Sequence, residues 1–129
     1  MILRIPALQI PETIEFDGAH WRAKREFHVT MLNTETRTLL GNRAIAKAKR
    51  GIELTVKMRD EFWMLTKGRA RSIIQMCDVA GADEFFANLG VETPPLHVTL
   101  YTLGDTRGIG IASWAELEQR GSRIDFYIR

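Results

Sequence analysis

Polar and apolar positions alternate most clearly in two short stretches, Glu26-Phe27-His28-Val29-Thr30-Met31-Leu32 and Pro95-Leu96-His97-Val98-Thr99-Leu100-Tyr101. Period-two alternation marks a half-buried strand, so strands are predicted over Phe27–Leu32 and Leu96–Leu103. Ile52–Met58, Phe62–Thr66 and Arg71–Val79 read as further strands, the last two joined by the tight turn Lys67-Gly68-Arg69, and Ile124–Ile128 as a final one. Residues 1–20, punctuated by Pro6, Pro11 and Gly18, read as one or two short strands with turns. Asn33 and Thr34 offer N-cap chemistry for a helix reaching Arg50, with Gly51 closing it. Its Arg43, Lys47 and Arg50 share a polar face, and Leu40, Ala44 and Ala48 lie together on another. A short helix is predicted from Asp83 to Leu89, stopped by Gly90. Another runs from Ser113 to Arg120, where Ser113 and Glu116 form a capping box and Gly121 follows. The pattern is α+β, with strand–helix–strand units occurring twice.

Composition narrows the class without naming a function. The chain has 129 residues, 45% hydrophobic and 26% charged, which fits one globular domain, residues 1–129, and disfavours disorder or a large cofactor-binding fold. No apolar run approaches the roughly 20 residues needed to span a bilayer, and the N-terminus lacks the charge-then-apolar pattern of a secretory signal. A cytoplasmic monomer with no membrane partner is therefore expected. Cys77 is the only cysteine, which excludes an internal disulfide and a Cys-rich zinc site. A net charge of +2 is too small to demand nucleic acid. The charge is uneven, however. Basic residues crowd positions 21–50, where Glu26 and Glu35 are the only acids, while positions 76–106 carry acids and no Lys or Arg. Two solvated faces of opposite sign explain this more readily than a basic half that meets a phosphate-bearing ligand.

The repeated tripeptide carries the chemistry. His28-Val29-Thr30 and His97-Val98-Thr99 lie 69 residues apart, about half the chain. In a strand, His and Thr two positions apart project from one face, about 6.5–7 Å from each other. Val29 and Met31, and likewise Val98 and Leu100, then point into a core on the other face. A satisfied structural histidine explains one such copy easily and two poorly. Cleaving a phosphodiester by in-line displacement needs a base on one side of phosphorus and an acid on the other. Two imidazoles with an ordinary pKa of about 6.5 can divide those roles near neutral pH. The Thr30 and Thr99 hydroxyls can donate to the non-bridging oxygens and stabilise the charge of the transition state. No cofactor and no metal is required by this scheme.

The two motifs and their apolar flanks resemble those of the two-histidine (2H) phosphoesterase superfamily, which includes LigT-like RNA 2′,3′-cyclic phosphodiesterases and 2′-5′ RNA ligase-like proteins. That family carries two His-x-Thr/Ser motifs, one in each half of a pseudo-symmetric fold, and both are intact here at His28-Val29-Thr30 and His97-Val98-Thr99. The resemblance implies two pseudo-symmetric lobes of antiparallel sheet with outer helices around a central cleft. It also implies catalysis by His28 and His97, with Thr30 and Thr99 binding substrate. The partner implied is a nucleotide or RNA with a cyclic or 2′-5′ phosphodiester, and ligation is the same chemistry run backwards. Family members are usually longer, so the short chain suggests trimmed recognition loops and a small or unusual substrate.

Other candidates are weaker. Tyr101 lies two residues past Thr99 and would share its face, where it could bind substrate by stacking on a base or touching phosphate. Arg71 could pair with phosphate but reads better as a surface residue, and His20 as structural or exposed. Cys77 reads as a small buried hydrophobe. Gly108-Ile109-Gly110-Ile111-Ala112-Ser113 lacks the third glycine of a dinucleotide fingerprint and reads as a loop lining the cleft. Two readings from other classes remain at this stage. One is a metal site using His28, His97 and either His20 or an acid, which leaves the threonines unexplained and lacks close ligand spacing. The other is a non-catalytic module that holds a nucleotide or RNA end in the same cleft.

Overall fold

The alternating segments pair into a single antiparallel sheet, described by a computed structural model covering residues 1–103 and 108–126. Among these residues the strands are β1 (Ile2–Arg4), β2 (Thr13–Phe16), β3 (Ala19–Ala23), β4 (His28–Thr30), β5 (Thr55–Lys67), β6 (Ala70–Ala80), β7 (His97–Leu103) and β8 (Gly121–Ile124). The helices are α1 (Thr34–Leu40), α2 (Asn42–Lys49), α3 (Ala82–Asn88) and α4 (Trp114–Arg120). The sheet runs β1-β4-β7-β6-β5-β8, and the β2–β3 hairpin joins it through β3, which pairs with β7. The protein is thus α+β, as its patterning predicts.

Several boundaries differ from the sequence reading for identifiable reasons. The helix expected to reach Arg50 is two helices, because Gly41 adopts φ 84° and ψ 150°, outside any helical conformation. That backbone state is open essentially to glycine alone, so the residue ends α1 and begins α2. The strands expected at 52–58 and 62–66 are one continuous β5, with an irregularity in its pairing to β6 between Met58 and Phe62. The N-terminal stretch holds β1, β2 and the start of β3, one strand more than expected. Gly121 opens β8 as well as ending α4; a Cβ there would lie 2.6 Å from Leu65 Cδ2, so glycine lets β8 close against β5. The strand expected at Ile124–Ile128 therefore comes earlier, and its positions 127 and 128, like Gly104 of the glycine loop, lie outside the described residues.

Apolar side chains pack on both faces of the sheet. The larger cluster joins Val29, Ile73, Val98, Leu100 and Tyr101 to Ile45 and Ala48 of α2 and to Phe85 and Phe86 of α3. A smaller cluster joins Leu65, Ile74 and Met76 to Leu117 of α4 and to Ile109 and Ile111. Ile74 pairs with Thr99 and Met76 with His97, so the smaller cluster occupies the face that carries the second motif.

Candidate active site

Both motifs fall on neighbouring strands, and their register makes them reciprocal. Val29 of β4 is paired with Val98 of β7. Counting outward along antiparallel strands sets His28 opposite Thr99 and Thr30 opposite His97. Directly opposed residues have Cβ atoms about 4.5–5.5 Å apart and diagonal ones about 7–8 Å, so the two imidazoles stand diagonally across the β4–β7 pair. Val29 and Val98 are fully buried beneath them. His28, Thr30, His97 and Thr99 all line one cavity of about 680 Å³, a volume suited to a nucleotide-sized ligand.

The two histidines differ in their surroundings. His97 Nδ1 lies 3.0 Å from the Pro95 carbonyl, which can only accept, so Nδ1 carries the proton and donates. The neutral ring then keeps its lone pair on Nε2. Burial lowers the pKa of His97 below the ordinary histidine value; the Pro95 hydrogen bond opposes this and the charge of His28 reinforces it. His28 is also lowered, first by burial, then by the positive charges of Lys24 and Arg4, against a smaller opposing effect of Glu26. Arg4 is the cross-strand neighbour of His28 on β1 and forms an exposed ion pair with Glu26 at 3.2 Å.

Other lining groups were not evident from patterning. Lys24 and Lys67 bring positive charge to the cavity, and Glu26, Glu35, Glu92 and Glu116 bring carboxylates. Gly108 comes so close to motif two that a Cβ on it would lie 3.1 Å from Thr99 Oγ1. Only a long-range contact map could have found the lysines and glutamates, although the basic stretch containing Lys24 was a partial signal; the glycine loop was expected to line the cleft, and its residues 108–112 do line the cavity.

Tyr101 is not with them. Ile74 pairs with Thr99 but Ile73 pairs with Tyr101, so Leu100 is an extra residue, a β-bulge, on β7. The bulge breaks the alternation on which the sequence expectation relied, and Tyr101 turns to the opposite face. Its side chain is fully buried, and its hydroxyl donates to the Pro11 carbonyl at 2.8 Å. Arg71 is held elsewhere too, by Asp17 at 2.7 Å and over the Trp21 ring at 5.3 Å. His20 is exposed beside Glu15. Cys77 is buried, and burial, with the Asp78 carboxylate adding to it, pushes its thiol up to about 11, too high for a nucleophile near neutral pH. A second hollow of about 1010 Å³, bordered by Lys57, Asp78 and Trp114, contains neither motif.

Among the described residues no three His, Cys, Asp or Glu side chains gather as a metal-holding group, and no helix is long and apolar enough to cross a membrane. No family model, no curated protein and no solved structure matches the chain.

Proposed function

We propose that the protein is a metal-independent phosphodiesterase acting on a cyclic or 2′-5′ phosphodiester of a nucleotide or RNA. In this reading the two motifs are the centres of two pseudo-symmetric lobes, and the cavity between them is the substrate cleft. The observation that carries the reading is the reciprocal pairing about Val29 and Val98, which sets each histidine against the other motif's threonine. A histidine retained for structure alone has no need of that symmetry.

The roles follow from the surroundings of each ring. His97, with Nδ1–H held by Pro95, offers Nε2 as the base. It takes a proton from water as the water oxygen bonds to phosphorus, and the bond from phosphorus to the leaving ribose oxygen breaks in line. His28, as imidazolium, gives that oxygen its proton, leaving a phosphomonoester. The negative charge of the bound diester favours the imidazolium and offsets the burial and the neighbouring cations that lower its pKa in the free protein. Thr30 and Thr99 hydroxyls donate to the non-bridging oxygens.

The test is turnover of a panel comprising nucleoside 2′,3′-cyclic monophosphates, RNA with a 2′,3′-cyclic end and 2′-5′ linked oligonucleotides. The wild type is expected to hydrolyse at least one in excess EDTA, and both His28→Ala and His97→Ala to lose turnover. Activity abolished by EDTA, or retained in either single variant, overturns the proposal.

A further inference from the structure

The segment from Gly108 to Ala112 is built from two alternating sets. Ile109 and Ile111 are buried in the smaller core cluster against Ile74, Met76 and Leu117. Gly108, Gly110 and Ala112 between them are exposed and line the cavity with the two motifs. The apolar set thus fastens the segment to the sheet while still bordering the cavity, and the exposed small set leaves its backbone bare.

The two glycines have different reasons to be there. At Gly108 a Cβ would crowd the Thr99 hydroxyl. At Gly110 a Cβ would meet none of the described residues within 4 Å, and its φ lies outside the left-handed region. Neither packing against the described residues nor backbone conformation therefore requires glycine at 110. Glycine nevertheless carries an unfolded-state entropy cost of about 0.5–1 kcal/mol relative to alanine. A bare backbone that none of the described residues fills is suited to close approach by a ligand.

We infer that residues 108–112 form the wall on which the nucleoside part of the substrate lies, with Gly110 kept free of a side chain for that contact. The inference rests on the phosphodiesterase reading, since it takes the phosphate to sit between the histidines. Two residues of chain span at most about 7 Å, so Gly110 stands within roughly one sugar of the contact between Gly108 and Thr99. Charge points the same way. Lys24 and Lys67 are the only Lys or Arg lining the cavity among the described residues, whereas Glu35, Glu92 and Glu116, with Glu26 held by Arg4, offer acceptors for sugar hydroxyls and base amines. Such a lining suits one phosphate with a neutral nucleoside better than a run of phosphates.

Gly110→Val tests this, with titration of inorganic phosphate and of a nucleoside 3′-monophosphate into wild type and variant. The variant is expected to melt no lower than the wild type. It should bind the nucleotide more weakly by about tenfold or more, from steric overlap, and phosphate equally well. Gly110→Ala should give the same ordering with a smaller step. Equal nucleotide affinity in wild type and variants, parallel loss of phosphate, or no nucleotide binding by the wild type overturns the inference. Absence of turnover across the substrate panel sinks the phosphodiesterase reading alone, and the titration still decides the wall.

Discussion

Tyr101→Phe separates a core tyrosine from a substrate-binding one. The ring is fully buried and packs edge-on against Phe126 at 6.0 Å, and phenylalanine preserves both features. The substitution removes only the hydroxyl, which donates to the Pro11 carbonyl at 2.8 Å. Pro11 is exposed, so its carbonyl regains water and avoids the full penalty of a stranded acceptor. The expected loss is therefore about 1 kcal/mol, the net worth of one neutral hydrogen bond. For a domain of this length that lowers the melting temperature by roughly 3–5 °C. Tyr101→Ala, which also empties a core site, should cost about 3–5 kcal/mol. Thermal unfolding followed by circular dichroism measures both, and steady-state kinetics on the best substrate of the panel supplies the second readout. KM should not change in Tyr101→Phe. An unchanged melting temperature with a raised KM would refute the bulge-based placement and return Tyr101 to the substrate.

Further outcomes follow from the same geometry. His28→Ala and His97→Ala should each lower kcat by about 10²–10⁴-fold, read by single-turnover assay, and a loss confined to KM would show binding without acid–base work. Both histidines are held below their ordinary pKa of about 6.5, so the bell-shaped pH profile of kcat/KM should peak on the acid side of that value. Lys24→Met removes a charge that lowers His28 and should move the descending limb to higher pH; a shift to lower pH contradicts the assignment of His28 as acid. For stability, a lowered folded-state pKa means that the unfolded chain binds more protons below about pH 6.5. The stabilising contribution is present above that pH and is lost as the pH falls, so melting temperature should drop between pH 7.5 and 5.5, less steeply in His97→Asn; equal slopes in the two proteins count against a lowered His97. Ser72 Oγ is buried with no hydrogen-bond partner among the described residues, so Ser72→Ala should stabilise by about 1 kcal/mol in denaturant titration, and destabilisation would reveal a partner.

The site was legible where local periodicity decides it and illegible where distant contacts do. His-Val-Thr alternation gave the buried valines and the shared face of each His and Thr, because a strand's pleat is a local property. The 67–70 hairpin and the Ser113 cap were readable for the same reason, with Ser113 Oγ accepting from Glu116 N as the capping pattern requires. Tyr101 was misplaced because nothing in Leu100-Tyr101-Thr102 announces a bulge; the extra residue is defined only against Ile73 and Ile74 on another strand. Gly41 lay in plain view inside a helical pattern, where a lone glycine is usually tolerated, and its broken conformation is set by the turn between α1 and α2. The Pro95 carbonyl that fixes the His97 tautomer carries no side-chain signature at all.

The Val29–Val98 pair has a kinetic consequence. β4 and β7 are joined through a registered pair between residues 69 positions apart, with α1, α2, β5, β6 and α3 lying between them along the chain. Closing so long a loop is entropically costly, and such contacts form late. Regain of turnover during refolding would then trail regain of secondary structure, which would make enzymatic activity a clock for the last docking event of the chain.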